Sequence, residues 1–339
     1  MLLICRLITV VFALILIFAW PQTRSIDFIL SLHQWNDSTL CEYFFRSLSF
    51  LGDDWFFMIF LGILLWCVDK NLGFWTAVVL LTSGACTGVI KELTFLERPD
   101  LPGVTHPGNA AFPSGHTLTA VTVWGYIAVR IKKTWAWVGA AMVTAGTSLS
   151  RLVLGYHFLG DVLGGIVLGV PFLMLFIWFS VLFVERGWVS KLRFPLLLTI
   201  SVAAPAVLAV VLPGAGSPKI LGYLAGASVG YILEKEKVRS VTSAPLPLQF
   251  VKVILGLGVP FILITALGSI LQHGGTGLDF AAATGMVKFI CCAFGGLWGT
   301  LLAPAFFVAL QLTQSKSSKL GTVLDLPGLI CQILKKKDF

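Results

Sequence analysis

Three short polar clusters stand between residues 91 and 161, inside a sequence that is otherwise nearly all apolar. Among their residues are two histidines, the carboxylate of Asp161 and three fixed cations. Histidine can attack phosphorus or move a proton, and cations balance the charge of a phosphate group, so these residue types suit phosphate-ester chemistry. The clusters are 91–99, with Lys91 and Arg98; 113–116, which reads Pro-Ser-Gly-His; and 150–161, with Arg151, His157 and Asp161.

The cations and a helix start in this region predict a phosphate-binding site. Lys91 and Arg98 are seven residues apart, which is two helical turns, so both are expected on one side of a helix end. Arg151 adds a forked donor. Ser114 and Gly115 open the next helix, where free backbone N–H groups and the helix dipole favour an anion. We therefore predict that these five residues bind the phosphoryl group.

The two histidines and the aspartate predict the chemical steps. His157 and Asp161 are four residues apart, so the carboxylate can keep one imidazole nitrogen protonated and leave the other as a nucleophile. His116, on a different helix, can protonate the leaving alkoxide as a general acid. The predicted mechanism is attack of His157 on phosphorus, a phosphohistidine intermediate, and hydrolysis by water. No part of the sequence resembles a carboxylate cage for magnesium, so we predict no metal and no other cofactor.

The segments between the clusters must bring them together. Two apolar runs, 117–129 and 134–149, separate the three clusters, and each is about long enough to cross most of a bilayer. A hairpin of these two helices returns all three clusters to the same membrane surface. The sequence therefore predicts one site at one face of the membrane.

The composition is typical of a polytopic membrane protein. Of the 339 residues, 57% are hydrophobic and 12% are charged, whereas soluble chains have about 25% charged residues. The net charge of +8 does not indicate nucleic-acid binding, because the basic residues lie between apolar runs and form no patch interleaved with aromatic residues. The seven cysteines have no metal-ligand spacing and predict no disulfide framework.

The apolar runs predict an all-α membrane helical bundle of about ten spans. An interfacial helix is predicted at 26–50, and Pro304 predicts a kink in the last span. Glycines four residues apart in the sixth and eighth spans predict close helix contacts. The predicted organisation is a six-span core at 1–190, a four-span extension at 191–312 and a basic cytoplasmic tail at 313–339. The spans are 2–20, 54–68, 72–90, 117–129, 134–149, 157–184, 195–212, 219–233, 249–271 and 286–311.

The positions of the basic residues predict an orientation. Most of the 24 lysines and arginines fall on the side of the membrane that carries the hairpin turn at 130–133. Short cytoplasmic loops are enriched in basic residues, so this side is predicted to be cytoplasmic. We predict an integral protein of the bacterial inner (plasma) membrane, with both termini cytoplasmic and the three polar clusters facing outward.

The three clusters resemble the signature of the type 2 phosphatidic acid phosphatase family of integral membrane enzymes. That signature is K-x6-R-P, then P-S-G-H, then S-R-x5-H-x3-D, and it is complete here, in order and at full spacing. The resemblance covers about residues 40–185 and leaves the four-span extension unassigned. It implies a metal-independent lipid phosphatase with His157 as nucleophile, Asp161 as its orienting residue and His116 as acid. The residues that it implies for phosphate binding are Lys91, Arg98, Ser114, Gly115 and Arg151.

The same resemblance suggests the substrate class. Members of that family act on phosphatidate, phosphatidylglycerophosphate, sphingoid-base phosphates, and polyprenyl phosphates and diphosphates. The expected partner is therefore a lipid phosphate of the bilayer, with phosphatidate-like lipids and polyprenyl compounds such as undecaprenyl diphosphate as leading candidates. Two alternatives stay open. A lipid transporter or flippase would use all ten spans, and a phosphotransferase would pass the phosphoryl group from the same histidine to an acceptor alcohol.

Overall fold

The computed structural model of the chain describes residues 2–106, 110–182, 187, 191–212, 217–273 and 285–315. Over these residues every regular element is a helix, and the β structure is one isolated bridge between Ser240 and Ser315. The predicted all-α fold is confirmed. A helix satisfies its own backbone N–H and C=O groups, as the hydrocarbon interior of a bilayer requires.

The first part of the chain packs four helices so that the three polar clusters meet. α7 packs against α6, α8 and α9, and α4 packs against α8. The end of α6, the start of α7, the end of α8 and the start of α9 therefore lie side by side. The helices are α1 Leu2–Phe18, α2 Trp20–Thr23, α3 Ile26–His33, α4 Thr39–Phe50, α5 Asp54–Ile63, α6 Lys70–Thr94, α7 Gly115–Ile131, α8 Thr134–Val153 and α9 Leu159–Ser180.

The second part of the chain is attached to the first through α11, which packs against α6 as well as against α10 and α13. A π-helical segment, Trp298–Leu302, precedes Pro304 in the last span. Proline lacks the backbone N–H that an α-helix needs, so the predicted irregularity at this position takes the form of a π turn. The helices are α10 Phe194–Val211, α11 Ser217–Leu233, α12 Leu246–His273, α13 Gly285–Leu297 and α14 Ala303–Ala309.

Four helical segments of the described residues are long and apolar enough to cross a membrane: α6, α9, α10 and Gly285–Ala309. The number rises to six if each of two bent helix pairs is one span. These segments make the chain an integral membrane protein, whereas the count of ten spans stays a prediction. The bent pairs are Val10–Phe18 with Trp20–Asp37, at 100°, and Thr39–Phe50 with Asp54–Val68, at 53°.

The prediction of one continuous interfacial helix at 26–50 is wrong, because the segment is broken into two helices. The structure has α3, then a short 3₁₀ turn at Gln34–Asp37, then α4. Asn36, Asp37 and Ser38 favour turns because their side chains bond to nearby backbone groups and compete with the helix. The break matters for the site, because it lets α4 lie along α8.

The predicted glycine contacts are confirmed. On α11, a Cβ at Gly222 would collide with the carbonyl oxygen of Phe289, and one at Gly226 with that of Ala293, so the backbones of α11 and α13 touch. On α9, a Cβ at Gly165 would come within 3.0 Å of the carbonyl oxygen of Ser114. Small residues allow this approach, and van der Waals packing then stabilises the helix pairs.

Buried charges join the extension to the first part of the chain. Lys70 Nζ lies 2.5 Å from Oε1 of the fully buried Glu234. The buried Lys252 donates to the carbonyl oxygens of Trp66, at 2.7 Å, and Thr242, at 2.9 Å. Buried charges are tolerated when they are paired and hydrogen-bonded. These contacts hold helices together, whereas the flippase alternative would need such charges along a moving pathway.

The predicted basic tail at 313–339 lies outside the described residues beyond Ser315. Its first residues are attached to the extension, because Thr313 donates to the carbonyl oxygen of Val241 and Ser315 donates to that of Val238. The domain boundaries drawn at 190 and 312 stay a prediction.

Candidate active site

The Pro-Ser-Gly-His cluster forms the start of α7. Ser114 is the fully buried N-cap residue, and its backbone N–H donates to the carbonyl oxygen of Asp161 at 2.9 Å. Of the N–H groups predicted to be free for an anion, this one is therefore already used to join α7 to α9. At Gly115 the nearest atom to an added Cβ would be Thr87 Cγ2, at 3.6 Å. A side chain at position 115 would therefore not collide with neighbouring protein atoms, and space remains beside the helix N-terminus.

Lys91 and Arg98 are half-buried, but they do not share a helix. α6 ends just before Phe95, whose φ of 48° turns the chain away from the helix axis. The prediction that their spacing places both on one side of a helix end is therefore wrong. Arg98 reaches the site from the following loop, where Nη1 donates to the carbonyl oxygen of Tyr156 at 2.9 Å. Lys91 Nζ donates to the carbonyl oxygen of Ala110 at 2.9 Å.

Arg151 is a buried cation with a donor to spare. It lies in the last turn of α8 and is 5% exposed. Nη1 donates to Ser49 Oγ at 2.7 Å, and the guanidinium carbon lies 4.3 Å from the ring centre of Tyr156. Its Nε is buried and has no hydrogen-bond partner among the described residues. A buried polar group without a partner costs free energy, so this guanidinium is suited to receive an anion.

His157 and Asp161 meet where α9 begins. His157 precedes the helix, and Asp161 lies in its first turn, where Oδ2 accepts the backbone N–H of Phe158 at 2.9 Å. His157 Nδ1 is 3.5 Å from Asp161 Oδ2, and Nε2 is 3.4 Å from Arg98 Nη1. A guanidinium can only donate, so Nε2 has the lone pair and Nδ1 carries the proton, on the side of the carboxylate.

The surroundings of His157 keep its imidazole neutral. The residue is 2% exposed. Burial, and then the positive charges of Arg151, Arg98 and Lys91, hold the pKa of His157 well below its usual range. A neutral imidazole keeps a lone pair for attack on phosphorus. The cations that could bind a phosphate therefore also maintain the reactive form of the histidine.

A cavity of about 270 Å³ lies beside His116 and Arg151, whereas His157, Lys91 and Arg98 are not among its lining residues. Charged and hydroxyl-bearing side chains predominate in its wall, which is typical of a pocket for a polar group. His116 on α7 and Arg151 on α8 both face it, so the cavity connects the second cluster with the third. The lining residues are Arg46, Ser49, Asp53, Thr105, His116, Arg151, Leu154 and Tyr156.

Arg24 is a partner of the site that the sequence analysis did not select. It lies between α2 and α3, and its Nη1 is 2.7 Å from Oδ1 of the fully buried Asp161. Its guanidinium carbon also lies 4.4 Å from the ring centre of Phe158. The carboxylate thus faces a histidine through one oxygen and an arginine through the other. The sequence alone does not distinguish Arg24 as a site residue, because basic residues that follow an apolar helix are common at the membrane interface.

Ser49, in the last turn of α4, and Asp53, the N-cap residue of α5, are two further partners. Ser49 accepts from Arg151, and Asp53 Oδ1 is 2.9 Å from His116 Nε2. The polar turn at 51–54 between two apolar helices is the signal that could have selected Asp53. No sequence signal marks Ser49.

Comparison with known families matches two separate parts of the chain. The PAP2 superfamily matches residues 72–188, which contain all three polar clusters. The transmembrane extension of PAP2 superfamily phosphatases matches residues 218–316. Residues 72–188 therefore form a PAP2 superfamily domain. The resemblance seen in the sequence is confirmed, and the extension that it left unassigned has a counterpart among the PAP2 superfamily phosphatases.

Curated relatives share parts of this PAP2 chain. Phosphatidylglycerophosphatase B of Bacillus subtilis (strain 168) is 32% identical over 114 residues, which are 31% of this chain and 52% of that protein. A probable sphingosine-1-phosphate phosphatase of Dictyostelium discoideum is 25% identical over 165 residues, which are 43% of this chain and 40% of that protein. The chain therefore spans about half or less of the length of these relatives.

A solved structure from the same superfamily is also similar. The crystal structure of a transmembrane PAP2-type phosphatidylglycerolphosphate phosphatase from Bacillus subtilis matches with a TM-score of 0.44 and 22% sequence identity. The match covers 57% of this PAP2 chain and 98% of that chain.

Proposed function

We propose that this PAP2 protein hydrolyses the phosphate ester or diphosphate of a membrane lipid through a phosphohistidine intermediate. The observation that carries the proposal is the environment of His157. Its Nε2 is 3.4 Å from a guanidinium nitrogen of Arg98, and its Nδ1 is 3.5 Å from the carboxylate of Asp161. The imidazole thus has a carboxylate beside one nitrogen and a guanidinium beside the other, which suits a nucleophile with an orienting group and an anion-binding cation.

In the first half-reaction, Nε2 of His157 attacks phosphorus and the bond from phosphorus to the lipid oxygen breaks. Asp161 stabilises the positive charge that develops on the imidazole, and the proton stays on Nδ1. Lys91, Arg98 and Arg151 balance the charge on the phosphoryl oxygens, because preorganised cations cost no reorganisation in the transition state. The start of α7, from Gly115 on, offers backbone donors to the same oxygens, whereas the N–H of Ser114 is already bonded to the carbonyl oxygen of Asp161.

Proton transfer to the departing alkoxide is the task of His116. An alkoxide is a poor leaving group, so general acid catalysis at this oxygen contributes about 10²- to 10⁴-fold to the rate. In the second half-reaction the neutral His116 takes a proton from water, which attacks phosphorus and releases phosphate from His157. No metal ion takes part in these steps. The absence of a metal cofactor is part of the proposal.

The substrate is a lipid phosphate. The proposal is supported by the two named relatives, a phosphatidylglycerophosphatase and a probable sphingosine-1-phosphate phosphatase. The cavity of about 270 Å³ beside His116 and Arg151 has room for a polar headgroup. Phosphatidate-like lipids and polyprenyl phosphates or diphosphates are the leading candidates. We further propose that the site faces outward from the bacterial inner membrane, with both termini cytoplasmic.

A panel of purified lipid phosphates tests the proposal. We expect the full-length protein in detergent to release phosphate from at least one of them, and excess EDTA to leave the rate unchanged because the charge of the phosphoryl group is balanced by side chains. Phosphate release is measured against a blank of the same detergent without protein, and again with candidate acceptor alcohols present. Loss of activity in EDTA that a divalent ion restores would contradict the metal-free mechanism, and a transfer product would indicate a phosphotransferase.

The pH profile of the wild-type protein gives a second test. Because the pKa of His157 lies well below its usual range, the imidazole is already neutral at pH 7 and stays neutral as the pH falls toward the usual value of 6.5. In the pH profile of kcat/KM, we therefore expect the fall in activity on the acidic side to occur below pH 6.5. Activity that is lost as the pH falls from 7.5 to 6.5 would contradict the assignment of His157 as a nucleophile held neutral by its surroundings.

A further inference from the structure

Asp53 is placed as the N-cap residue of α5, but its carboxylate does not cap the helix. Its backbone is extended, with φ of −84° and ψ of 153°, as an N-cap requires, and no side-chain capping hydrogen bond is present. An N-cap aspartate ordinarily accepts the N–H of the second or third helical residue. Here the carboxylate is directed at His116 Nε2 instead, at 2.9 Å.

The residue before Asp53 supports the same ring. A Cβ at Gly52 would come within 2.6 Å of His116 Cδ2, so the imidazole lies against the bare backbone of the turn. The side chains of Asp53 and His116 are 44% and 23% exposed, and both face the cavity that Arg151 lines. The turn between α4 and α5 thus holds the ring on one side, and the cavity meets it on the other.

We propose that Asp53 is a positioning residue for His116, and that it holds the imidazolium ready to give a proton to the leaving oxygen. This inference rests on the proposed function. A carboxylate can only accept, so its contact with Nε2 assigns one proton to that nitrogen. The second proton of the imidazolium is on Nδ1. When the bond from phosphorus to oxygen breaks, the Nδ1–H bond breaks and an O–H bond forms on the alcohol, while Nε2–H stays bonded to Asp53.

A negative partner is needed because the other neighbours of His116 oppose its positive charge. The ring is largely shielded from water, and Arg151 on α8 and His157 before α9 face it from the neighbouring helices. Asp54, in the first turn of α5, is exposed and acts from a greater distance. Asp53 is the carboxylate in contact with the ring, so its charge offsets part of the effect of burial and of Arg151, which together still hold the pKa of His116 below its usual value.

The test compares Asp53→Asn with the matched control Asp54→Asn in the full-length protein. Each is assayed on a lipid phosphate, whose alkoxide needs a proton, and on p-nitrophenyl phosphate, whose phenolate leaves without one. We expect Asp53→Asn to lower kcat on the lipid phosphate by about 10- to 100-fold and on p-nitrophenyl phosphate by less than about threefold. The basic limb of its lipid phosphate profile should move to lower pH, because His116 loses its proton more readily. Asp54→Asn should match the wild type.

The outcomes separate this inference from the proposed function. Equal losses on both substrates with an unmoved basic limb would mean a purely structural role and overturn the inference, as would full activity of Asp53→Asn. A wild-type protein without phosphatase activity would overturn the proposed function alone. In that case NMR titration of His116 decides, because Asp53→Asn should lower its titration midpoint by more than Asp54→Asn does. An unchanged midpoint in both variants would overturn the inference.

Discussion

Replacing His157 with alanine abolishes phosphate release from every lipid phosphate that the wild-type protein hydrolyses, with an expected fall in kcat of about 10⁴-fold or more. The expected size of the fall in kcat follows from the proposed chemistry, in which the phosphoryl group is transferred to Nε2 of this ring. No other described imidazole has a carboxylate beside one nitrogen and a guanidinium beside the other. Water attacking phosphorus directly would keep the help of the cations but would lose the nucleophile.

Trapping the phosphoenzyme tests directly whether His157 carries the phosphoryl group. Labelled substrate, rapidly quenched, should leave an acid-labile and base-stable phosphoryl group on the wild-type protein and none on the variant. His157→Gln serves as a control of similar shape, and its elution volume and unfolding midpoint should equal those of the wild type. Turnover of either variant within about tenfold of the wild type would assign the nucleophile to another residue.

Replacing Arg24 with methionine is expected to lower the free energy of unfolding by about 3–5 kcal/mol, since it leaves a buried carboxylate without its counter-charge. Asp161 is fully buried, and Arg24 Nη1 lies 2.7 Å from its Oδ1. Methionine keeps much of the side-chain volume, so the change isolates the charge. The measurement is the unfolding midpoint of the full-length protein in detergent. Activity should fall as well, because Asp161 is left free to move away from His157.

Two further variants interpret the result. Arg46→Met is the matched control, because Arg46 pairs with Glu42 in an exposed ion pair of 57% and 39% side-chain exposure, which is worth about 0–1 kcal/mol. The double variant Arg24→Met/Asp161→Asn should recover most of the stability and none of the activity, since it removes the unpaired charge together with the orienting carboxylate. If Arg24→Met unfolds no more easily than Arg46→Met, the buried ion pair does not stabilise the fold.

The all-α membrane fold and the composition of the site follow from local sequence. A bilayer requires long apolar runs, so α6, α9 and α10 are visible as runs of apolar residues with few charges. The glycines of α11 are visible for a similar reason, because a repeat of four residues puts them on one helix face. The histidines and cations of the three clusters stand out because charged residues are rare in such a chain.

The tertiary structure decided which groups touch. The expectation that Lys91 and Arg98 share a helix failed, because a left-handed residue at Phe95 ends α6 and the loop then turns back toward the site. Arg24 and Asp161 are 137 residues apart, and Asp53 and His116 are 63 apart. No periodic pattern links positions so distant in sequence. The helix packing brings them together, and the low dielectric of the interior makes those few contacts strong enough to set the charge and orientation of both histidines.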